Sequence, residues 1–180
     1  MAGSTACNNI SGLLYQVLHA FYAACLSFSG QCYGAGKYKR IDRLVLWGSG
    51  ISASFAAVAA ALITLAPYIF IGIFNLDPEV IRIGSDKLLI ICWSYVLYSV
   101  TEVLMGCLRG MRQTAIPSII NIICVCVIRG LWILLFVPIY PGNHLFLFAC
   151  YPISFVISFA AVLTFYLYKR RGLNRKPITA

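Results

Sequence analysis

The chain has 180 residues, of which 61% are hydrophobic and 11% charged, with a mean hydropathy of +0.88. Water-soluble domains hold about 25% charged and about 45–50% apolar residues, so this balance excludes an ordinary soluble fold and makes lipid the natural solvent. The net charge of +9 is spread over short basic clusters between apolar runs, the pattern of membrane-protein connections and not of a nucleic-acid-binding face.

Five segments reach the length of about 20 mostly apolar residues that a spanning helix needs. The first, Ile10 to Gly30, is interrupted by Gln16, His19, Ser27 and Ser29, and Gly34-Ala35-Gly36 is expected to end its helix. The second runs from Leu44 to Leu65; Pro67 follows, and Tyr68 to Phe74 is expected near the membrane interface. The third spans Leu88 to Leu108, its helix starting at Asp77-Pro78-Glu79 with Asp77 as N-cap and Pro78 in the first helical position. The fourth spans Ile116 to Val137, and Pro138-Ile139-Tyr140-Pro141-Gly142 breaks it from the fifth, Leu145 to Tyr168. Residues 169–180 form a basic tail. The fold class is therefore an all-α, polytopic membrane helix bundle.

The charges orient it. Lys37, Lys39, Arg40 and Arg43, then Arg109 and Arg112, then Lys169, Arg170, Arg171, Arg175 and Lys176 all fall on one side if the helices alternate. The other side has Arg82 and Lys87 against Asp77, Glu79 and Asp86. The positive-inside rule places the C-terminus in the cytoplasm and the N-terminus outside the cell membrane. Met1 is followed by Ala-Gly-Ser-Thr, with none of the marks of a signal peptide. An external start without an export signal leads us to expect further sequence upstream.

Four short stretches resemble one family. Gln31-Cys32-Tyr33-Gly34-Ala35-Gly36 before Lys-Tyr-Lys-Arg resembles the Q-x-x-G-A element of the multidrug and toxic compound extrusion (MATE) transporters. Phe74-Asn75-Leu76-Asp77-Pro78-Glu79-Val80-Ile81 resembles the segment before that family's tenth helix. Glu102 to Gly110, with Thr114 and Pro117, resembles its G-x-L-R-G … T … P junction, and Arg129-Gly130-Leu131-Trp132 its R-x-x-W stretch. Arg112 stands where the family usually has a second glycine. The resemblance implies that the five spans correspond to helices eight to twelve of a twelve-helix fold built from two lobes. It implies partners in an N-terminal lobe and a seventh helix that lie outside these residues. It also implies export of organic cations or other amphiphiles in exchange for Na+ or H+. The alternatives are a non-transporting, truncated or oligomerising membrane protein, and a lipid-linked saccharide flippase of the same superfamily.

Glu102 is the sharpest candidate for chemistry, because a carboxylate inside a spanning helix is costly and is by default a functional hypothesis. Tyr95, Tyr98, Glu102, Gly106 and Arg109 recur at helical spacing on one face. The competing reading makes Glu102 an interfacial carboxylate reached by water. Asn9, Gly12, Gln16, His19, Ala23, Ser27 and Gly30 form a polar and small stripe on the first helix, read as either a substrate wall or a packing face. Substrate or cation binding is assigned to Glu102, Tyr98, Tyr95, Gln16, His19 and Asn9. Arg129 is read as a structural charge that snorkels or bonds backbone carbonyls. Gly48, Ser49, Gly50, Ser52 and Ser54 are read as a close-packing surface.

Enzyme signatures are missing from the sequence: His19 and His144 are isolated, and neither a nucleophile elbow nor a phosphate loop is present. The cysteines read as small packing residues, so neither a metal nor a cofactor is expected beyond the coupling ion.

Overall fold

The computed structural model describes residues 2–65, 78–136 and 150–173. These form six α-helices: α1 (Ala2–Gly34), α2 (Tyr38–Leu65), α3 (Pro78–Gly110), α4 (Ala115–Ile122), α5 (Ile128–Phe136) and α6 (Cys150–Leu173). A π-helical turn, Ile123–Val127, joins α4 to α5, so the two make one interrupted span. Five helical segments are long and apolar enough to cross a membrane, and the chain is a multi-pass membrane protein. The expected interfacial stretch 68–74, the N-cap at Asp77, the break at 138–142 and the end of the tail lie outside the described residues.

The helices extend past the apolar spans. α2 begins at Tyr38, so Lys39, Arg40 and Arg43 lie in its first turns and the connection shrinks to Ala35–Lys37. Likewise α6 carries Lys169, Arg170 and Arg171 as helix up to Leu173. Asp42 links these two ends: it accepts the Tyr166 hydroxyl at 2.9 Å and lies 3.0 Å from Arg170 Nε. The basic residues of α2 and α6 thus gather at one end of the bundle.

α3 is the central element, with α1, α2 and α6 all packed on it. Residues 101–108 of α3 are buried without interruption, whereas Trp47, Leu62, Leu65 and Leu134 face outward. The interior holds Ser29, Ser52, Ser99, Thr101, Glu102, Ser154 and Ser158. Polar groups inside and large apolar ones outside suit a hydrocarbon solvent, in which each unsatisfied polar group costs several kcal/mol. Ser94, Ser99 and Thr101 return their hydroxyl protons to carbonyls three or four residues back in α3, the usual way such residues are satisfied within a helix.

Small residues set the spacing. α1 and α3 run parallel and approach most closely where Gly106 and Gly110, one turn apart, face Tyr22, Leu26, Ser29 and Gly30. A Cβ on Gly106 would meet the Tyr22 carbonyl oxygen at 2.6 Å, and one on Gly110 the Leu26 carbonyl oxygen at 2.7 Å as well as the Ser29 hydroxyl. This is a small-xxx-small contact of the kind that lets membrane helices touch backbone to backbone. The α2 surface expected to pack closely is only partly used. Gly48 meets Cys25 and Val103, and Ser52, Ala56 and Ala60 follow at four-residue steps, while Gly50 and Ser54 lie exposed. The buried row follows the helical repeat, and the sequence cluster of glycine and serine does not.

Two helix ends close alike. After α1, Lys37 N–H reaches the Cys32 carbonyl and Gly36 N–H that of Tyr33, with Gly36 at φ +69. After α3, Gln113 N–H reaches the Leu108 carbonyl and Arg112 N–H that of Arg109, with Arg112 at φ +59. The left-handed position of this motif favours glycine, and a side chain there costs about 1 kcal/mol. Arg112→Gly is therefore expected to raise the thermal unfolding midpoint by relieving about 1 kcal/mol of strain; an unchanged or lower midpoint in detergent would show that the Arg112 side chain compensates.

Candidate functional site

The parallel register of α1 and α3 sets Tyr15, His19 and Tyr22 beside Tyr98, Glu102 and Gly106. Glu102 is 5% exposed, so its carboxylate is packed against protein. Its Oε1 accepts the Tyr98 hydroxyl at 2.5 Å, and its Oε2 lies 3.7 Å from His19 Nδ1. Removing a carboxylate from water is costly unless hydrogen bonds or positive charge replace the lost hydration. Tyr98 supplies one such bond from the preceding turn of the same helix.

Aromatic rings surround this carboxylate. Tyr15 stacks on His19 at 5.8 Å between centroids and on Tyr98 at 6.1 Å, and His19 stacks on Tyr22 at 4.8 Å. Spacings of four and three residues place the three α1 rings on one face. Below them Arg109 donates to the Tyr22 hydroxyl at 2.7 Å and to the Ser118 hydroxyl at 3.1 Å, joining α1, α3 and α4. On the far side of Tyr98, Phe155 of α6 lies 4.8 Å away, ring to ring. Carboxylate and π-faces together form an environment that attracts a positive charge, since the face of each ring is the negative part of its quadrupole.

The site opens along α1. The His19 side chain is 48% exposed, and Asn9, Gly12, Gln16, Ala23 and Ser27 are exposed on the same stripe. α1 buries the other row instead: Ser11, Leu18, Tyr22, Cys25 and Ser29. Polar groups avoid hydrocarbon, so the stripe is a surface suited to water or to another polar helix. Of the residues singled out from sequence, Glu102, Tyr98 and His19 come together. Gln16 and Asn9 lie further along the stripe, toward the start of α1. Tyr95 sits behind Tyr98, its ring 5.9 Å from that of Tyr98 and 6.0 Å from Phe155.

Among the described residues, Arg129 is held by side chains of α6. Its Nε donates to the Ser154 hydroxyl at 3.1 Å, and its guanidinium covers the Tyr151 and Phe155 rings at 4.5 and 4.9 Å. The π-turn just before it shifts the helical register, and the resulting contacts are side chains of α6. Tyr15 and Tyr22 were missed as site residues because aromatic residues in a membrane chain read as interface belt and filler. The signal was their spacing about His19.

The sequence of this site and its surroundings matches known proteins. A family model described as MatE matches residues 1–135. The chain belongs to the MatE family. Among curated relatives, the MatE chain is 25% identical over 141 residues to a probable multidrug resistance protein NorM of Aromatoleum aromaticum, covering 77% of this chain and 30% of that protein. It is 28% identical over 114 residues to the protein of the same name from Chromobacterium violaceum, covering 63% of this chain and 24% of the relative. A third, from Brucella suis, is 30% identical over 125 residues, covering 67% and 26%. The MatE chain thus spans about a quarter to a third of the length of these relatives.

Proposed function

We propose that this chain forms part of a secondary active multidrug antiporter that exports organic cations or other amphiphiles in exchange for Na+ or H+. In this reading its five spans are helices eight to twelve of the transporter, completed by an N-terminal lobe and a seventh helix. The observation that carries the proposal is the buried Glu102 carboxylate, hydrogen-bonded to Tyr98 beside the stacked rings of Tyr15, His19 and Tyr22. Such a group offers a monovalent organic cation one full countercharge and several π-faces in a water-poor setting, where both are worth more than in water. A negative site floor also disfavours the pyrophosphate of a lipid-linked saccharide, which sets the flippase reading second. Membrane lipids are the surrounding partner, and the outward Trp47, Leu62 and Leu134 side chains suit that contact.

The test is movement of a cationic dye by the full-length protein in proteoliposomes. Imposed proton and sodium gradients should each be varied alone. The expected result is uphill dye movement that collapses with one of the two gradients; dye movement indifferent to both would contradict antiport.

Orientation is part of the same proposal, with the basic end of the bundle in the cytoplasm. Reporter fusions after Lys39, Asn75, Gln113 and Asn143 and at the C-terminus should report in, out, in, out, in. A cytoplasmic signal from the Asn75 fusion would contradict both the orientation and the span count.

A further inference from the structure

Among the described residues, Glu102 has two neighbours that can hold a proton toward it, and they differ in kind. Tyr98 donates to Oε1 from within the buried interior, whereas His19 faces Oε2 across 3.7 Å from the half-exposed side. At that separation the imidazole and the carboxylate are not hydrogen-bonded, but a proton on Nδ1 and a small ring rotation would close the gap into a charge-assisted bond. Imidazole is the one side chain whose ordinary protonation range falls between about pH 5 and 8. Resting on the reading that Glu102 is the cation ligand, we infer that His19 is the proton carrier of the exchange. Protonated His19 and the organic cation compete for the same Glu102 carboxylate, and the coupling ion is H+.

The geometry fits a competition. With His19 neutral, Oε2 is not hydrogen-bonded to it, and a monovalent cation that enters from the side lined by Tyr15, His19 and Tyr22 can pair with it. When a proton binds His19, the imidazolium takes Oε2 and places positive charge at the edge of the rings where the cation would sit. One proton enters as one monovalent cation leaves, so the net charge of the site is the same before and after. His19 lies on the half-exposed side of α1, within the polar stripe suited to water or to another polar helix, while Glu102 is shielded behind it.

Among the described residues, the other groups around the pair leave this role to His19. α1 adds Tyr15 and Tyr22; α3 adds Tyr98, with Tyr95 behind it, and Arg109, whose guanidinium is held by Tyr22 and Ser118 of α4. α2 packs through Ile41, Ser52, Ala56, Ala60 and Ile63, a row without a titratable side chain. α6 presents Phe155, with Arg129 on that ring and on Tyr151.

Equilibrium binding of tetraphenylphosphonium to the full-length protein, measured from about pH 5.5 to 8.5, tests the inference. Competition with one proton predicts that Kd rises about tenfold per pH unit on the acid limb, and that about one proton is released per cation bound there. Sodium at constant ionic strength should not displace the probe. His19→Gln, which loses one ring of the site along with the imidazole, should bind more weakly than the parent at alkaline pH yet show a flat profile; His19→Lys should bind weakly at every pH. A sloping profile retained in His19→Gln, or displacement of the probe by sodium, would overturn the role of His19. It would leave Glu102 as the ligand. If Glu102→Gln binds the probe as tightly as the parent at alkaline pH, the underlying site reading fails instead.

Discussion

Replacing Glu102 by glutamine is expected to reduce transport of cationic substrates roughly 30-fold or more, while the variant reaches the membrane in the parent's amount. The magnitude follows from burial. Glu102 is 5% exposed, and truncating one member of a desolvated charge pair costs about 2–5 kcal/mol. The lower end of that range already corresponds to roughly 30-fold in an equilibrium constant. Glutamine keeps the size of the side chain and can still accept the Tyr98 hydroxyl, so folding should be little affected. Uncharged amphiphiles should lose much less, because the rings of Tyr15, His19, Tyr22 and Tyr98 remain. Glu79→Gln, in the first turn of α3, is the control: it should cost only a few tenths of a kcal/mol through the helix dipole and leave transport intact. Vesicle uptake at equal protein level checks both. Parental transport by Glu102→Gln would mean that the carboxylate is only a packing element.

Gly106→Leu is expected to do the opposite kind of damage, removing the folded protein and not just its selectivity. The first atom of any side chain at Gly106 would sit 2.6 Å from the Tyr22 carbonyl oxygen and 3.3 Å from the Leu26 nitrogen and Cys25 Cβ. Backbone cannot rotate out of the way as a flexible side chain can, so α1 would have to move off α3. Even modest overpacking costs about 1–3 kcal/mol, and a whole leucine at a backbone contact should exceed that range. Gly106→Ala should fall within it. Thermal unfolding in detergent should order the parent above Gly106→Ala, with Gly106→Leu lowest or not recoverable. Because the same contact holds Tyr15 and His19 against Glu102, the alanine variant should also bind cations more weakly than the parent. Equal stability of all three would mean that the α1–α3 contact contributes little.

The architecture was legible because its signal is long and redundant. Apolar runs of spanning length and basic residues at alternate connections both bear on the same five spans, and helices occupy all five. The acid was legible for a related reason: a carboxylate amid apolar residues stands out. What surrounds it was not. Tyr15 and Tyr22 look like the other aromatic residues of a membrane chain until α3 is known to lie against their face. The polar stripe through Gln16 and His19 marks the open side of α1, while the buried row through Leu18, Tyr22, Cys25 and Ser29 is the one that packs. Sequence periodicity defines both faces without telling which one meets a neighbour. The partners of Arg129 on α6 were not legible, and the π-turn at Ile123–Val127 lies just before it; nothing in Ile-Cys-Val-Cys-Val announces such a turn. Arg112 stands out in the sequence as an arginine in place of a glycine, while its cost lies in a backbone angle.

The central claim is that organic cations sit between α1 and α3 at Glu102. Photolabelling with a reactive organic cation, followed by peptide mapping, tests it most directly. The account predicts label on the α1 segment 15–22 and the α3 segment 95–102, displaced by excess tetraphenylphosphonium and lost in Glu102→Gln. Displaceable label confined to other segments, with these two unmarked, would contradict it.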